Sequence, residues 1–342
     1  MKNSVVFKVN PQKPDSRKIK IAAQSIREGK LVAFPTETVY GLGADALNPD
    51  AVSKIFEIKR RPFTDPLIIH ISDRKDLFSL VREFPEEVAK LINKFWPGPL
   101  TLVMKKSNIV PDIVTAGLDT VAIRMPKNQI ALSLIKFAKT PVSAPSANLF
   151  GRPSPTCAQH VIEDLDGKVD IILDGGRTDI GLESTVIDIA HRPFRILRPG
   201  GITIEEIERL IGRVKFASTY SSILHSPGML KHHYSPKAKL ILVERNNGQI
   251  DKMKRLALRL KEQGKKIGIL VTSESRNKFN GFEIKTMGSI NNLRACANNL
   301  FSILRDFDRE KVDVIIVEGI SSNGLGLTIM DRLRKAAKEK II

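Results

Sequence analysis

Residues 49–71 read PDAVSKIFEIKRRPFTDPLIIHI, and the hydrophobic period changes partway along them. From Pro49 to Arg61 the apolar residues recur at helical spacing, and a proline opens the run. From Leu67 to Ile71 they are continuous, as in a buried strand, with one histidine, His70, among them. A helix that leads through a short polar turn into a buried strand is an α/β signature. Three cations, Lys59, Arg60 and Arg61, stand at the junction. The helix dipole favours positive charge at a C-terminus but does not by itself call for three cations just before Pro62. Lys59 and Arg61, two positions apart in an extended turn, would point to the same side and suit a polyphosphate. Arg60 is expected in solvent, and His70 by default is a satisfied core histidine.

The same reading extends outward on both sides. KLVAFPT (30–36), LTLVMKKS, TVAIRMP, PVSAPSA, VDIILDGG, STVIDIA and PFRILRPG read as strands. PEEVAKLINKFWPGP reads as a helix stopped by Pro97-Gly98-Pro99, and a further helix is expected over 129–138. Many strands with few helices between them predict a twisted, mixed α/β sheet over residues 1–213. Over 214–237 the periodicity lapses into Ser, Pro, Gly and His, which marks a linker. Residues 238–342 alternate strand and helix as KLILVE, 250–263, KKIGILV, NNLRACANNLFSILRDFD, KVDVIIVEGI and LGLTIMDRLRKAAKE, a smaller Rossmann-like α/β domain. GLG at 324–326 lacks the third glycine of a dinucleotide fingerprint and reads as a turn or interdomain feature.

The composition is that of a globular protein, with 42% apolar and 27% charged residues over 342 positions. No apolar run approaches the roughly 20 residues of a membrane helix, and no signal-peptide core is present, so a cytoplasmic protein is expected. The two cysteines, Cys157 and Cys296, have no metal-ligand spacing and suit unpaired thiols. The formal charge of +18 is uneven, +6 over 1–213 and +12 over 214–342. Such a balance favours polyanions such as nucleotides or tRNA, or equally a lysine-rich surface kept for solubility or heat resistance.

Four constellations could carry chemistry. FPTETVYGLGADA offers Thr36, Thr38 and Tyr40, with Gly41 and Gly43 permitting close backbone approach in a loop. The cation turn is the second. SAPSANLFGRPSPT gathers Ser143, Ser146, Asn148 and Ser154 among prolines. The fourth joins Arg124 and Arg198 at strand ends with Ser184 and Thr185 at a strand start, and an arginine in an apolar strand needs an anionic partner. Each alone is compatible with an ordinary loop or turn.

Taken in order, PTETVYGLG, KRRPxxxPL, SAPSAN and GxESTVIDI resemble the YrdC-like family, the catalytic fold of threonylcarbamoyl-AMP synthases. SPGMLKHHYSPKAKL resembles that family's linker, and GLGLTIMDRLRKAA the closing helix of its two-domain members. The resemblance implies synthesis of threonylcarbamoyl-AMP and pyrophosphate from L-threonine, bicarbonate or carbon dioxide, and ATP with Mg²⁺. It implies no protein-bound metal, and a downstream threonylcarbamoyl transferase acting on tRNA. By similarity, threonine would meet Thr38, His70, Arg124, the backbone at Ala144, and Ser184. ATP would meet Lys59, Arg61, Asp65, Thr120, Ser146, Asn148, Ser154, Arg198 and Tyr234, with Lys59 and Arg61 as the catalytic cations and the linker as a lid. The family's usual Lys-Gly-Arg is Lys59-Arg60-Arg61 here, and the linker's usual Lys-Tyr is Leu230-Lys231.

Two other readings compete. One is carbamoyl-adenylate chemistry, as in hydrogenase-maturation carbamoyltransferases, which carry cysteine modules that two cysteines cannot build. The other is a double-stranded RNA or tRNA binding module without catalysis, which calls for aromatic stacking positions on a basic face. Aromatic residues are only 6% of the chain, and Trp96 sits at a helix stop.

Overall fold

The computed structural model describes residues 3–217 and 233–342. The central part of the expected linker, 218–232, therefore lies outside the described residues. The chain forms two compact units, and the division is not a single cut in sequence. Residues 151–153 and 180–182 group with the second unit, and the rest of the chain up to 217 forms the first.

The first unit is built on an eleven-stranded mixed sheet. Its order is Val5–Lys8, Ile171–Asp174, Val32–Pro35, Tyr40–Asp45, Val142–Ser143, Ile68–His70, Thr120–Arg124, Leu100–Lys105, Thr185–Asp188, Arg195–Arg198 and Lys215–Phe216. Side chains alternate across a strand, so each strand here divides its residues between two unlike environments. Ile69, Val121, Ile123, Leu100, Leu102, Met104 and Ile187 enter the main hydrophobic core. There they meet Val52, Ile55 and Phe56 of helix Pro49–Lys59 and Val88 and Leu91 of helix Glu86–Phe95. On the opposite face stand Ile68, Val103, Ala122, Val186 and Leu197, a small cluster of mostly short side chains.

The helix read from the opening stretch ends two residues sooner than its period suggested. Asn48 caps its start through the amides of Asp50 and Ala51, with Pro49 in the first turn. Arg60 takes a left-handed conformation (φ 54°) as the C-cap, its amide returning to Phe56 and Glu57 carbonyls. The junction is therefore a helix terminus and not an extended turn. Three helices of eight or more residues fell outside the sequence reading, Ser16–Arg27, Ala158–Leu165 and Ile204–Ile211, as did the single turns Leu77–Leu80 and Asp112–Thr115. The first two bury alanine as well as larger residues, a weak hydrophobic signal.

The stretch read as a glycine-rich loop is also different. Tyr40–Asp45 is a strand antiparallel to Val32–Pro35, and Thr36 makes the turn by accepting the amides of Thr38 and Val39. A Cβ at Gly43 would lie 2.7 Å from the Phe34 ring and 2.8 Å from Val142 Cγ1. The glycine makes room for neighbouring side chains rather than for a ligand.

The second unit holds five parallel strands in the order Glu283–Gly288, Ile267–Thr272, Val314–Glu318, Lys239–Val243 and Glu339–Ile341. Helix Gln249–Glu262 packs on one face through Met253, Leu256 and Ala257. Helices Leu293–Arg309 and Leu325–Ala336 cover the other. Strands buried on both faces read as unbroken apolar runs, which is why this unit was legible from its sequence. The outer strands Glu283–Gly288 and Glu339–Ile341 are half-exposed, and the sequence reading passed over them.

Candidate active site

The face of the large sheet that is not filled by the main core carries most of the polar candidates. Strand register places them. Ile68–His70 and Thr120–Arg124 run parallel with His70 opposite Arg124, so both side chains emerge on the face shared with Ile68 and Ala122. Thr120 opens that same row. Thr101 lies opposite Val186, and Ser184 sits two residues earlier on the same side. Ala144, whose amide donates to Ile68 O (2.9 Å), borders the row on the other flank.

At the His70–Arg124 end the arginine is not alone. Its Nη2 lies 2.7 Å from Glu37 Oε1, and Nε donates to Gly98 O at 3.3 Å. Glu37 Oε2 accepts the Lys127 amide at 3.0 Å. Only 4% of Glu37 and of Arg124 is exposed. Thr38 follows Glu37, its hydroxyl 2.8 Å from that of Thr36. His70 is fully buried, and that burial, with the Arg124 charge beside it, pushes its pKa down to about 3. The imidazole therefore stays neutral beside the guanidinium, at right angles to the Phe34 ring.

Ser184 ties the next strands together. Its hydroxyl is 2.7 Å from that of Thr101, and its carbonyl and hydroxyl both accept from Arg198 (3.0 and 3.1 Å from Nη2). The register slips between Ile196 and Arg198, which brings Arg198 opposite Val186 and onto the site face.

The cation turn supplies the other pole. Lys59 Nζ donates to the carbonyls of Ser146 and Asn148. Arg61 binds the Asp65 carboxylate at 2.9 Å and the carbonyls of Asp65 and Pro66 at 3.0 and 2.8 Å. Lys59 and Arg61 are thus buried staples of the loops at 146–148 and 65–66, while Arg60 is exposed. Burial pushes the Asp65 carboxyl up, against the pull of Arg61, Lys59 and Arg198. Ser146 pairs with Gly41 in an isolated bridge, and the buried Asn148 donates to Leu149 O at 2.8 Å. Ser154 donates to Glu183 Oε1 at 2.5 Å.

Tyr234 belongs to the second unit. Its ring is buried there, stacked on Phe301 at 5.3 Å with the Arg332 guanidinium 5.1 Å from its centroid. Three participants escaped the sequence reading: Glu37, Thr101 and Glu183. Glu37 stood inside PTETVYG and was passed over for its hydroxyl neighbours, although the arginine's need for an anionic partner was the available signal. Among the described residues no group of three or more His, Cys, Asp or Glu side chains is arranged to hold a metal, and no helix is long and apolar enough to cross a membrane.

Comparison with known proteins adds to this geometry. The family described as "Telomere recombination" matches residues 24–200, and that described as "Threonylcarbamoyl-AMP synthase, C-terminal domain" matches 202–338. A threonylcarbamoyl-AMP synthase of Pyrococcus abyssi is 50% identical over 333 residues, 95% of each chain. One of Bacillus subtilis is 46% identical over 325 residues, 94% of this chain and 93% of the other. The crystal structure of P. abyssi Sua5 complexed with L-threonine superposes with a TM-score of 0.93 at 48% identity, covering 99% of this chain and 100% of that one.

Proposed function

The chain belongs to the threonylcarbamoyl-AMP synthase family, and on that footing we propose how its residues carry the chemistry. The protein is an enzyme that makes threonylcarbamoyl-AMP from L-threonine and ATP. Bicarbonate, or the carbon dioxide in equilibrium with it, supplies the carbamoyl carbon. The threonine amine attacks that carbon to form a carbamate, with loss of a proton when carbon dioxide reacts or of water when bicarbonate does. A carbamate oxygen then attacks the α-phosphorus of ATP, the bond from that phosphorus to the bridging oxygen breaks, and pyrophosphate leaves. Charge then gathers on phosphate oxygens, so positioning and fixed cations matter more than a protein nucleophile.

Threonine lies over the row that ends in Arg124. The guanidinium pairs with its carboxylate, and Thr38, Ser184, neutral His70 and the backbone at Ala144 fix the amine and hydroxyl. ATP lies toward the cation turn, with Ser146, Asn148, Ser154, Thr120 and the backbone at Asp65 holding the nucleotide. The observation that carries this reading is three buried cations, Lys59, Arg61 and Arg198, each at most 6% exposed, whose charges all act on the carboxylate of Asp65, with Arg61 in direct contact at 2.9 Å. A concentration of buried positive charge suits a triphosphate. Lys59 and Arg61 bring charge and also hold the loops that present Ser146 and Asn148. Mg²⁺ arrives with ATP as part of the substrate. A separate transferase consumes the product by modifying tRNA, and the enzyme works in the cytoplasm.

The test is release of pyrophosphate from ATP by the purified protein. It should depend on both L-threonine and bicarbonate. Equal turnover with serine or glycine in place of threonine would overturn the substrate assignment.

A further inference from the structure

We propose that Glu37 is a positioning residue that fixes the Arg124 guanidinium for the threonine carboxylate. The inference rests on the reading of Arg124 given above. Three observations carry it. Glu37 and Arg124 are both buried and in direct ionic contact, so the pair is screened little by solvent. The second oxygen of Glu37 accepts the Lys127 amide, three residues past Arg124, so one carboxylate anchors both the guanidinium and the chain that leaves its strand. Gly98 O takes the Nε proton, and Glu37 Oε1 faces Nη2 at 2.7 Å as an ionic contact outside hydrogen-bond geometry, so the charge is anchored while hydrogen-bonding capacity is left for a ligand.

The consequence is directional. A guanidinium is a planar fork that can turn about its own side chain, and a ligand carboxylate must find it in one plane. The Glu37 charge beside Nη2 and the Gly98 carbonyl on Nε restrict that turn. Glu37 is itself oriented from behind, because Thr36 Oγ1 accepts the amides of Thr38 and Val39 and closes the turn around it. His70 beside Arg124 remains neutral and adds no competing charge.

Glu37→Gln keeps the shape and an acceptor for Lys127 but removes the charge. It should weaken threonine binding by calorimetry, and raise the threonine KM, by about ten- to a hundredfold, the weight of a charge-assisted hydrogen bond. The ATP KM, and kcat at saturating threonine, should stay within about twofold. A double-mutant cycle with Arg124→Gln separates the possible failures. If Glu37 acts through Arg124, the double variant binds threonine no worse than Arg124→Gln alone. If Arg124→Gln impairs threonine binding and Glu37→Gln does not, the proposal falls and the Arg124 reading stands. If neither does, the Arg124 reading falls first. Additive losses, or equal losses in the threonine and ATP parameters, would show Glu37 acting independently or only through general stability, and either overturns the proposal.

Discussion

The guanidinium of Arg61 lies 2.9 Å from the carboxylate of Asp65, four residues on, and the two are only 6% and 1% exposed. Its neighbour Arg60 caps a helix and faces solvent. Two adjacent arginines thus have opposite fates. Arg61→Ala should lower kcat/KM for ATP by roughly a hundredfold or more, and Arg60→Ala by less than about twofold. Equal losses from the two changes would refute the division of roles.

The same pair separates stability from activity. Removing Arg61 takes away the direct ionic partner of the buried Asp65, at a cost of about 3 kcal/mol. Adding Asp65→Asn removes the stranded charge, so the double variant should recover much of the lost stability in urea melts. It should not recover activity, because the cation is still missing. Recovery of both would mean that Arg61 serves the fold alone.

His70 makes stability depend on acid. Its native pKa is pushed down to about 3, well below the roughly 6.5 of an unfolded chain. Between those values the unfolded state binds a proton that the native state refuses, so stability falls as pH falls from about 6.5 toward 3. The limiting slope is about 1.4 kcal/mol per pH unit. His70→Asn should flatten that part of the stability profile measured by denaturant titration. An unchanged slope would show that the acid sensitivity lies elsewhere.

Gly43 should tolerate no side chain. Its added Cβ would meet Phe34, Val142 and the Val32 carbonyl at 2.7, 2.8 and 3.3 Å. Gly43→Ala should destabilise the first unit by about 1–3 kcal/mol, the usual range for overpacking. Because Phe34 also stands at right angles to the His70 ring, the threonine KM should rise too. A wild-type melting curve would show that the strand can shift to make room.

Tyr234 is tested within its own unit. The ring is buried on Phe301 and under Arg332, at a backbone φ of 64°. Tyr234→Ala should cost about 3–5 kcal/mol through the cavity it leaves, and Tyr234→Phe should melt close to wild type. Equal destabilisation by both variants would move the ring's contribution to its hydroxyl.

Local sequence was enough for the elements whose period is pure. The helix over Gln129–Ala138 and the parallel strands of the second unit follow from spacing and unbroken apolar runs. So does the solvent position of Arg60. The order of the motifs was likewise sufficient to place the chain in its family. A glycine-rich strand such as Tyr40–Asp45 looks like a loop until its neighbours are known, because its glycines answer to Phe34, Val142 and Ala144. Arg124 announced in sequence that it needed an anion, but the choice of Glu37 depends on how distant segments meet. Strand register, a relation between segments and not a property of any one of them, set His70 opposite Arg124 and put both on the sheet face that carries Ile68 and Ala122.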